Sequence, residues 1–236
     1  QRMNELLVSA GNAAYGSDEF NSIKSEINTN IGQLSQCINS SYDGKYVFGG
    51  TRNDYKPVGV KIDTNGNEKL DYVNKDGTTP LASGDAQLNQ ISSNLSVEIS
   101  QGVDVNYNVT ANSIIEFKND SGTAKDLRTI LNNITTDLGS PTGTTNLEGR
   151  DLSDIKDAIN NISNLRTNVG AMENRMTSAS NINESDNTNL TELLSATDDA
   201  DYADVTMKYA QTQATYSASL YVSAKVLQST LLDYLS

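Results

Sequence analysis

The sequence has no histidine, no tryptophan and a single cysteine, Cys37, among its 236 residues. Histidine and cysteine are the commonest general bases, nucleophile partners and transition-metal ligands in proteins. Their scarcity leaves only carboxylate, lysine and hydroxyl chemistry to an active site, so the composition predicts a protein that is not an enzyme and holds no cofactor or metal. One cysteine also excludes a disulfide within this chain.

Basic residues are scarce as well, because 17 lysines and arginines stand against 30 acidic residues, which gives a net charge of −13. A field of that sign repels phosphate backbones and anionic lipid headgroups. The sequence has no apolar run near the roughly 18 residues of a bilayer span, and no leader pattern. We therefore expect neither nucleic acid nor membrane insertion. Gln1 lies inside a helix-like pattern, so we expect the chain to begin within a longer protein.

The first clear periodicity is helical and follows Ser17, which is placed to cap a helix. Its apolar residues are Phe20, Ile23, Ile27, Ile31, Leu34 and Ile38. The opposite face is polar but uncharged, with Asn28, Thr29, Gln33, Ser35, Gln36 and Asn39. Such a face predicts either contact with another polar surface or plain exposure to solvent. We interpret Cys37, at the edge of the apolar face, as a small packing residue.

The period changes to that of β-strands between residues 58 and 117. Apolar and polar residues alternate over residues 58–62, and the Asn65-Gly66 pair that follows favours a tight hairpin turn. A second alternating segment, VDVNYNV, occupies residues 103–109. The pattern predicts a small β domain inserted between helices.

The turn of this hairpin also resembles the start of a calcium-binding loop, with Asp63, Asn65 and Asn67 at alternate positions. The sixth position of such a loop requires glycine and the twelfth requires glutamate, whereas this chain has Glu68 and Asn74 there. We therefore favour the hairpin.

Helical periodicity returns after residue 122 and continues to the end of the chain. Thr123 is the predicted cap of a first helix, whose apolar residues are Leu127, Ile130, Leu131, Ile134 and Leu138. A loop over residues 139–149 ends it, and a long helix follows over residues 152–176. The polar residues 181–189 predict an interruption before the last periodic run.

The last run carries an apolar stripe without proline or glycine. Most helical stability in proteins comes from packing an amphipathic face, so a stripe of this length predicts an association surface. The predicted assembly interface consists of Tyr202, Val205, Tyr209, Tyr216, Leu220, Val226, Leu227, Leu231, Leu232, Tyr234 and Leu235.

Glycines and aromatic residues are concentrated in the stretch YDGKYVFGGTRNDYKP, residues 42–57. It could be a ligand loop, a phosphate cradle or a piece of architecture. Gly49 and Gly50 are not followed by the Lys-Ser or Lys-Thr of a phosphate loop, and glycines with aromatics after a helix favour a tight chain reversal with rings packed over it. The predicted junction residues are Tyr42, Asp43, Gly44, Tyr46, Phe48, Gly50, Thr51 and Pro57.

Several motifs together resemble the flagellin superfamily. QRMNELLVSAGNAAYGSDEF is similar to its N-terminal helix and turn, and LRTNVGAMENRM is similar to its C-terminal signature, at Arg166, Gly170, Ala171, Asn174 and Arg175. The glycine- and aromatic-rich stretch and the ending LLDYL at residues 231–235 resemble, within this superfamily, the family of flagellar hook-associated protein 3. Residues 63–95 and 139–150 resemble nothing that we can place.

The resemblance implies an α+β fold, an elongated flagellin-like rod of long α-helices, packed as an antiparallel bundle or coiled coil, with the small β domain inserted. Residues 1–56 are then the N-terminal part of the rod, 57–122 the outer β domain, and 123–236 the C-terminal part, with an assembly segment at 203–236. The family's extreme N-terminal segment is expected to precede Gln1. The stretch at residues 42–57 becomes the rod-to-β-domain junction.

The function that the resemblance implies is structural, as the junction between the flagellar hook and the flagellin filament. The implied partners are hook-associated protein 1, flagellin, further copies of the chain in a ring, and a cytoplasmic export chaperone. The implied location is the extracellular flagellum, reached through the flagellar secretion apparatus.

Three alternatives remain at this point. A filament-forming flagellin shares the helical signature. A carboxylate enzyme would use neighbouring acids such as Asp18 and Glu19, but neighbours in a helix point about 100° apart and do not converge on one substrate. A ligand of an innate receptor is suggested by Arg2 and Leu6, although Asn4 stands where flagellins usually have arginine.

Overall fold

The computed structural model describes residues 1–12, 16–100, 102–140, 144–198 and 201–232. The chain divides into two compact units, Gln1–Ser180 and Asn181–Ser236. The helices are α1 Arg2–Asn12, α2 Ser17–Ile38, α3 Ala86–Ser92, α4 Ala111–Ile115, α5 Leu127–Asp137, α6 Thr144–Asn146, α7 Leu152–Asp198 and α8 Tyr202–Leu232, with a π-helical turn at Leu147–Asp151. The strands are β1 Ser41–Tyr42, β2 Lys45–Tyr46, β3 Val58–Ile62, β4 Glu68–Tyr72, β5 Ser96–Ser100, β6 Val103–Asn106, β7 Glu116–Lys118 and β8 Ala124–Asp126. The predicted α+β class is confirmed.

Helix α2 begins at Ser17, as its periodicity predicts, but Ser17 is not its cap. The capping position belongs to Gly16, whose backbone N–H donates to Oε2 of Glu19 at 3.0 Å. Glutamate at the third helical position can satisfy this group because its side chain folds back over the first turn.

Cys37, near the end of α2, is exposed, so its interpretation as a packing residue is wrong.

The described strands pair as four separate two-stranded antiparallel sheets rather than as one continuous sheet. The predicted hairpin is confirmed, with Val58 paired to Tyr72 and Ile62 paired to Glu68. Its turn is closed by Asp63, whose Oδ1 accepts from the backbone N–H groups of Asn65 at 2.8 Å and Asn67 at 2.9 Å. The carboxylate that resembled a calcium ligand therefore holds the turn.

Helix α5 contains four of the five predicted apolar residues, with Leu138 as its C-cap, but its N-cap differs from the prediction. Residues 124–126 form strand β8, which pairs with β7. Asp126 follows directly as the N-cap, and its Oδ1 accepts from the backbone N–H of Arg128 at 2.9 Å. A carboxylate is a stronger acceptor than a hydroxyl at this position, and Thr123 lies in the preceding turn.

The hydrophobic core lies in the first unit and gathers side chains from α1, α2, β3, β4, α3, α4, β7, α5 and the start of α7. Its fully buried members include Leu7, Ile27, Ile31, Val58, Ile91, Ile115, Leu131 and Ile134. The core therefore contains residues from each of the three predicted segments, residues 1–56, 57–122 and 123–236. The division at residues 56 and 122 stays a prediction.

Helix α7 is longer than the sequence predicts. The polar residues 181–189, expected to interrupt it, are helical, and α7 continues unbroken to Asp198. The hydroxyls of Thr188 and Thr191 donate to the carbonyl oxygens of Glu184 and Asn187, four residues earlier, at 3.0 and 2.7 Å. Such bonds satisfy the threonine hydroxyls within the helix itself. Among the described residues, no helix combines the length and apolarity needed to cross a membrane.

Candidate assembly surface and the junction after α2

The junction opens with a two-residue hairpin between β1 and β2. Tyr42 is paired with Lys45, and the two residues between them have positive φ, 50° at Asp43 and 74° at Gly44. Two successive residues of this kind make the turn whose twist suits a hairpin. The ring of Tyr42 is 82% exposed, so it does not pack over the reversal as predicted.

Behind the hairpin, the chain passes against the end of α3 at Gly50. This residue has φ 61°, and a Cβ placed there would lie 2.3 Å from the carbonyl oxygen of Gln90. Both the backbone N–H and the hydroxyl of Thr51 donate to that same oxygen, at 2.9 and 3.1 Å. Glycine is therefore required at position 50 by conformation and by space.

The centre of the loop is Arg52, a residue that the sequence did not single out. Its side chain is 5% exposed. Nη1 donates to Oε1 of Gln87 at 2.8 Å, and Nη2 donates to the carbonyl oxygens of Lys56 at 2.9 Å and Val73 at 2.8 Å. Burial lowers the pKa of the guanidinium below its usual value. Arg52 thereby ties together α3, the loop and Val73, the residue after β4, through its planar fork of donors.

Two asparagines, Asn28 on the uncharged face of α2 and Asn39 directly after its last residue, hold the β3–β4 hairpin. Nδ2 of Asn39 donates to the carbonyl oxygen of Val58 at 2.8 Å, and its Oδ1 accepts from the N–H of Val58 at 3.3 Å. Nδ2 of Asn28 donates to the carbonyl oxygen of Gly66 at 3.2 Å, and its Oδ1 accepts from the N–H of Glu68 at 3.1 Å. At these two positions, contact with another polar surface is confirmed.

The remaining junction residues belong to the same loop. The N–H of Tyr46 donates to the carbonyl oxygen of Asn53 at 2.7 Å. Phe48 packs against the core, and its carbonyl oxygen accepts from the N–H of Ala111 at 2.8 Å. Pro57 is buried at the start of β3. The loop thus binds its own chain, as expected for architecture, and its role in linking a rod to a β domain stays a prediction.

The predicted assembly residues lie on α8, whose start is capped by Asp201. Oδ1 of Asp201 accepts from the backbone N–H groups of Ala203 at 2.9 Å and Asp204 at 3.3 Å. The large apolar side chains that follow are exposed: Tyr202 82%, Val205 49%, Tyr209 70%, Tyr216 65%, Leu220 54%, Val226 56% and Leu227 64%. An isolated chain therefore presents them to water.

Not all of the predicted assembly residues can be located on this surface. Leu231 and Leu232 belong to α8, but their side chains lie outside the described part, and Tyr234 and Leu235 lie outside the described residues. Because successive helical residues are about 100° apart, Val226 lies well to the side of Leu227. The assembly role of the whole set stays a prediction.

Charge is nearly absent from α8. Nζ of Lys208 pairs with Oδ2 of Asp204 at 2.6 Å, one turn away, and Lys225 lies over the ring of Tyr221, 5.8 Å from its centroid. No group of three or more potential metal-ligating side chains occurs among the described residues. The exposed apolar side chains and the scarcity of charge suit packing between helices.

One buried acid lies apart from both predicted sites, in the π-helical turn. Asp151 is 1% exposed, and its Oδ1 accepts from Nε of Arg150 at 2.9 Å. Arg150 also bonds to Asp137 of α5. Burial raises the pKa of Asp151 to about 6, although the Arg150 guanidinium opposes the rise. Its Oδ2 has no hydrogen-bond partner among the described residues.

Comparisons with known proteins agree with this architecture. Residues 152–235 match the family model of the bacterial flagellin C-terminal helical region. No curated protein matches the chain.

Solved structures of flagellar proteins are similar to the chain. FlgL from Xanthomonas campestris has 15% identity and a TM-score of 0.60, over 83% of this chain and 88% of that chain. Flagellar hook-associated protein 3 from Legionella pneumophila has 14% identity and a TM-score of 0.59, over 83% and 85%. The flagellar junction protein FlgL from Legionella pneumophila has 12% identity and a TM-score of 0.54, again over 83% and 85%.

These values establish likeness of fold, since identities this low leave the individual side chains different. The predicted flagellin-like architecture of long helices with antiparallel strand pairs is confirmed. The chain has the fold of the flagellar hook-associated protein 3 structures, and its C-terminal helices carry the sequence pattern of the flagellin C-terminal region.

Proposed function

We propose that this protein is a structural subunit of the bacterial flagellum and forms the junction that joins the hook to the flagellin filament. The observation that carries the proposal is the likeness of fold to hook-associated protein 3 and to a flagellar junction protein, over 83% of the chain. The flagellin pattern in residues 152–235 supports the same assignment.

In this proposal the protein acts mechanically, and α8 supplies the contacts of assembly. Its described tyrosines, leucines and valines are exposed. Full burial of a Leu or Phe side chain contributes about 1.5–3 kcal/mol, so burying five of them gives on the order of 10 kcal/mol against the entropy lost on association.

The proposed partners follow from the same role. They are hook-associated protein 1 on the hook side, flagellin on the filament side, further copies of the chain in a ring, and an export chaperone. The proposed location is the extracellular flagellum, reached through the flagellar secretion apparatus. The proposal assigns the chain no catalytic reaction. A structural role is supported by the junction loop, whose polar groups form hydrogen bonds with the chain itself.

Immunogold electron microscopy of intact flagella tests the proposal, with an antibody raised against residues 58–119. A band of label between hook and filament is the expected result, and a strain that lacks the gene is the control. Label along the whole filament would replace the proposal by a filament-forming flagellin, which the family match at residues 152–235 also fits. Flagella without label would overturn both.

A further inference from the structure

Two carboxyl groups meet a single guanidinium where α5 ends and α7 begins. Nη2 of Arg150 bonds to Oδ2 of Asp137, the last residue of α5, and to Oδ1 of Asp151 at 2.9 Å. Nδ2 of Asn146 donates to the other carboxyl oxygen of Asp137 at 3.3 Å. Because one nitrogen atom reaches both acids, the two carboxyl groups are neighbours. When both are ionised, two negative charges share one positive charge.

The buried oxygen Oδ2 of Asp151 is the one carboxyl oxygen of this cluster without a donor among the described residues. The Asp151 side chain is 1% exposed, so the fold gives solvent almost no access to it. An ionised carboxylate oxygen that is buried without a donor destabilises the fold. A proton on Oδ2 removes this penalty, because the resulting O–H group can donate to the neighbouring carboxylate of Asp137.

The π-helical turn that holds Asp151 packs against α1, α5 and α6. The charged groups that act most strongly on Asp151 are Arg150 in the same turn and Asp137 on α5. On α1, the charged residues Arg2 and Glu5 pair with each other in the first turn of that helix. Helix α6 has no charged residue. The balance of charge around Asp151 is therefore set within the cluster.

The remaining charged residues of these elements have other neighbours. Glu148 of the π-helical turn lies against α1, where a Cβ at Gly11 would come within 2.7 Å of its Cγ. Asp154, in the first turn of α7, pairs with Lys125. Arg128 lies at the opposite end of α5 and bonds to the acid that caps this helix. None of these three side chains supplies the missing donor to Asp151.

We propose that Asp137 and Asp151 share one proton and form a pH-sensitive latch, which holds the start of α7 against the end of α5 in acid and releases it towards neutral pH. When Oδ2 of Asp151 gives its proton to the solvent, the O–H donor is lost and the two carboxylates repel each other. Water can then supply the missing donor, but the turn must move to admit it. The latch is independent of the proposed function.

The turn between α6 and α7 is suited to such a movement. π-helical turns are rare and occur mostly as single turns at functional sites. This one spans Leu147–Asp151 and is followed directly by α7. Leu147 is fully buried in the core of the first unit. Opening of the turn therefore loosens the packing between α1, α5 and the start of α7.

The size and sign of the effect follow from the two states of Asp151. Burial, reinforced by Asp137 and opposed by Arg150, raises its pKa from 3.8 to about 6. The contribution of this group is complete below pH 3.8 and is lost as the pH rises through about 6. If opening restores the ordinary pKa, the open form gains about tenfold over the closed form between pH 5 and pH 7.5.

Amide hydrogen exchange of the full chain at pH 5 and pH 7.5 tests the latch. Conversion of the rates to protection factors removes the direct effect of pH on exchange. We expect the protection of residues 147–152 to fall about tenfold, and to be lower at pH 7.5 than that of Ile27 and Ile31 in α2. Unchanged protection of the turn would overturn the proposal. Equal protection of the turn and α2 at pH 7.5 would overturn it too, since only global unfolding would then expose Asp151.

Two variants and a control identify the proton. Asp151→Asn stays neutral and should lose the pH dependence of the turn. Asp137→Asn removes one negative charge, so the carbon-13 resonance of the Asp151 carboxyl should titrate at lower pH than in the wild type. Asp120→Asn, an exposed acid in the turn between β7 and β8, should leave this titration unchanged. An identical titration in wild type and Asp137→Asn would overturn the shared proton, even if Asp151→Asn did not fold.

Discussion

The side-chain amide of Asn39 is paired with both backbone groups of Val58, through a 2.8 Å bond to its carbonyl oxygen and a 3.3 Å bond from its N–H. Asn39 follows the last residue of α2, and Val58 is the first residue of β3. The amide therefore occupies the position of a neighbouring strand residue and satisfies both backbone groups of Val58 from the end of the helix. It therefore fixes where the strand starts relative to the helix.

Asn39→Ala is expected to destabilise the protein by about 2 kcal/mol, because both buried backbone groups of Val58 lose their partner. Chemical denaturation measures the loss, and amide hydrogen exchange at Val58 should accelerate. Gln36→Ala, an exposed position on the same helix, is the control and should change little. An equal loss in the two variants would contradict the pairing role.

Gly50→Ala is expected to cost more than about 3 kcal/mol, since the added methyl group meets the carbonyl oxygens of Gln90 and Ile91 and the residue has a left-handed φ. Gly44→Ala is the matched control, because Gly44 has a similar φ of 74° but nothing within 4 Å of its Cβ position. Conformation alone costs about 1–2 kcal/mol there. Thermal unfolding separates the two, and similar losses would refute the close approach at α3.

The helices of this protein could be predicted because their signal is local. Apolar residues spaced by three or four positions form one face whatever the face packs against, and α2, α5 and the start of α7 contain the predicted residues.

The glycines of the junction loop predict its architectural role. Its central residue was missed, since the three acceptors of Arg52 come from Gln87, Lys56 and Val73, and two of these lie more than 20 positions away.

Two of the sequence predictions are wrong, each for its own physical reason. The polar residues 181–189 have the composition of a turn, because asparagine, serine and threonine favour turns in general, yet α7 continues through them, and the hydroxyl of Thr188 bonds to the carbonyl oxygen of Glu184 one turn earlier. The sequence predicts the cap of α5 at Thr123, because the pairing of residues 124–126 with β7 has no local signal. Only in the second case does a partner outside the helix, strand β7, decide the conformation.

The stability of the first unit is expected to fall as the pH rises from about 4 to about 6, because of Asp151. Its pKa is raised from 3.8 to about 6 in the fold, so the folded state holds the proton more tightly than the unfolded chain. Stability from this group is complete below pH 3.8 and is lost as the pH passes about 6, with a total of about 3 kcal/mol.

Asp151→Asn tests this dependence, because asparagine stays neutral over the whole range. The variant should show a smaller loss of stability than the wild type between pH 4 and 6, and the difference curve between the two isolates the contribution of Asp151 from that of other acids. Denaturant unfolding at several pH values provides the measurement. Parallel curves for the two proteins would show that the buried carboxyl does not titrate in this window.

Removal of residues 220–236 is expected to leave the first unit folded and to abolish incorporation into flagella. Every described large apolar side chain of this segment is exposed, and the core ends with the start of α7. Its loss therefore removes no core packing, while it deletes the lower half of the assembly stripe. The expected readouts are an unchanged thermal transition and near-UV circular dichroism, together with absence of the truncated chain from purified flagella. Normal incorporation of the truncated chain would show that α8 beyond Leu220 is not an assembly contact.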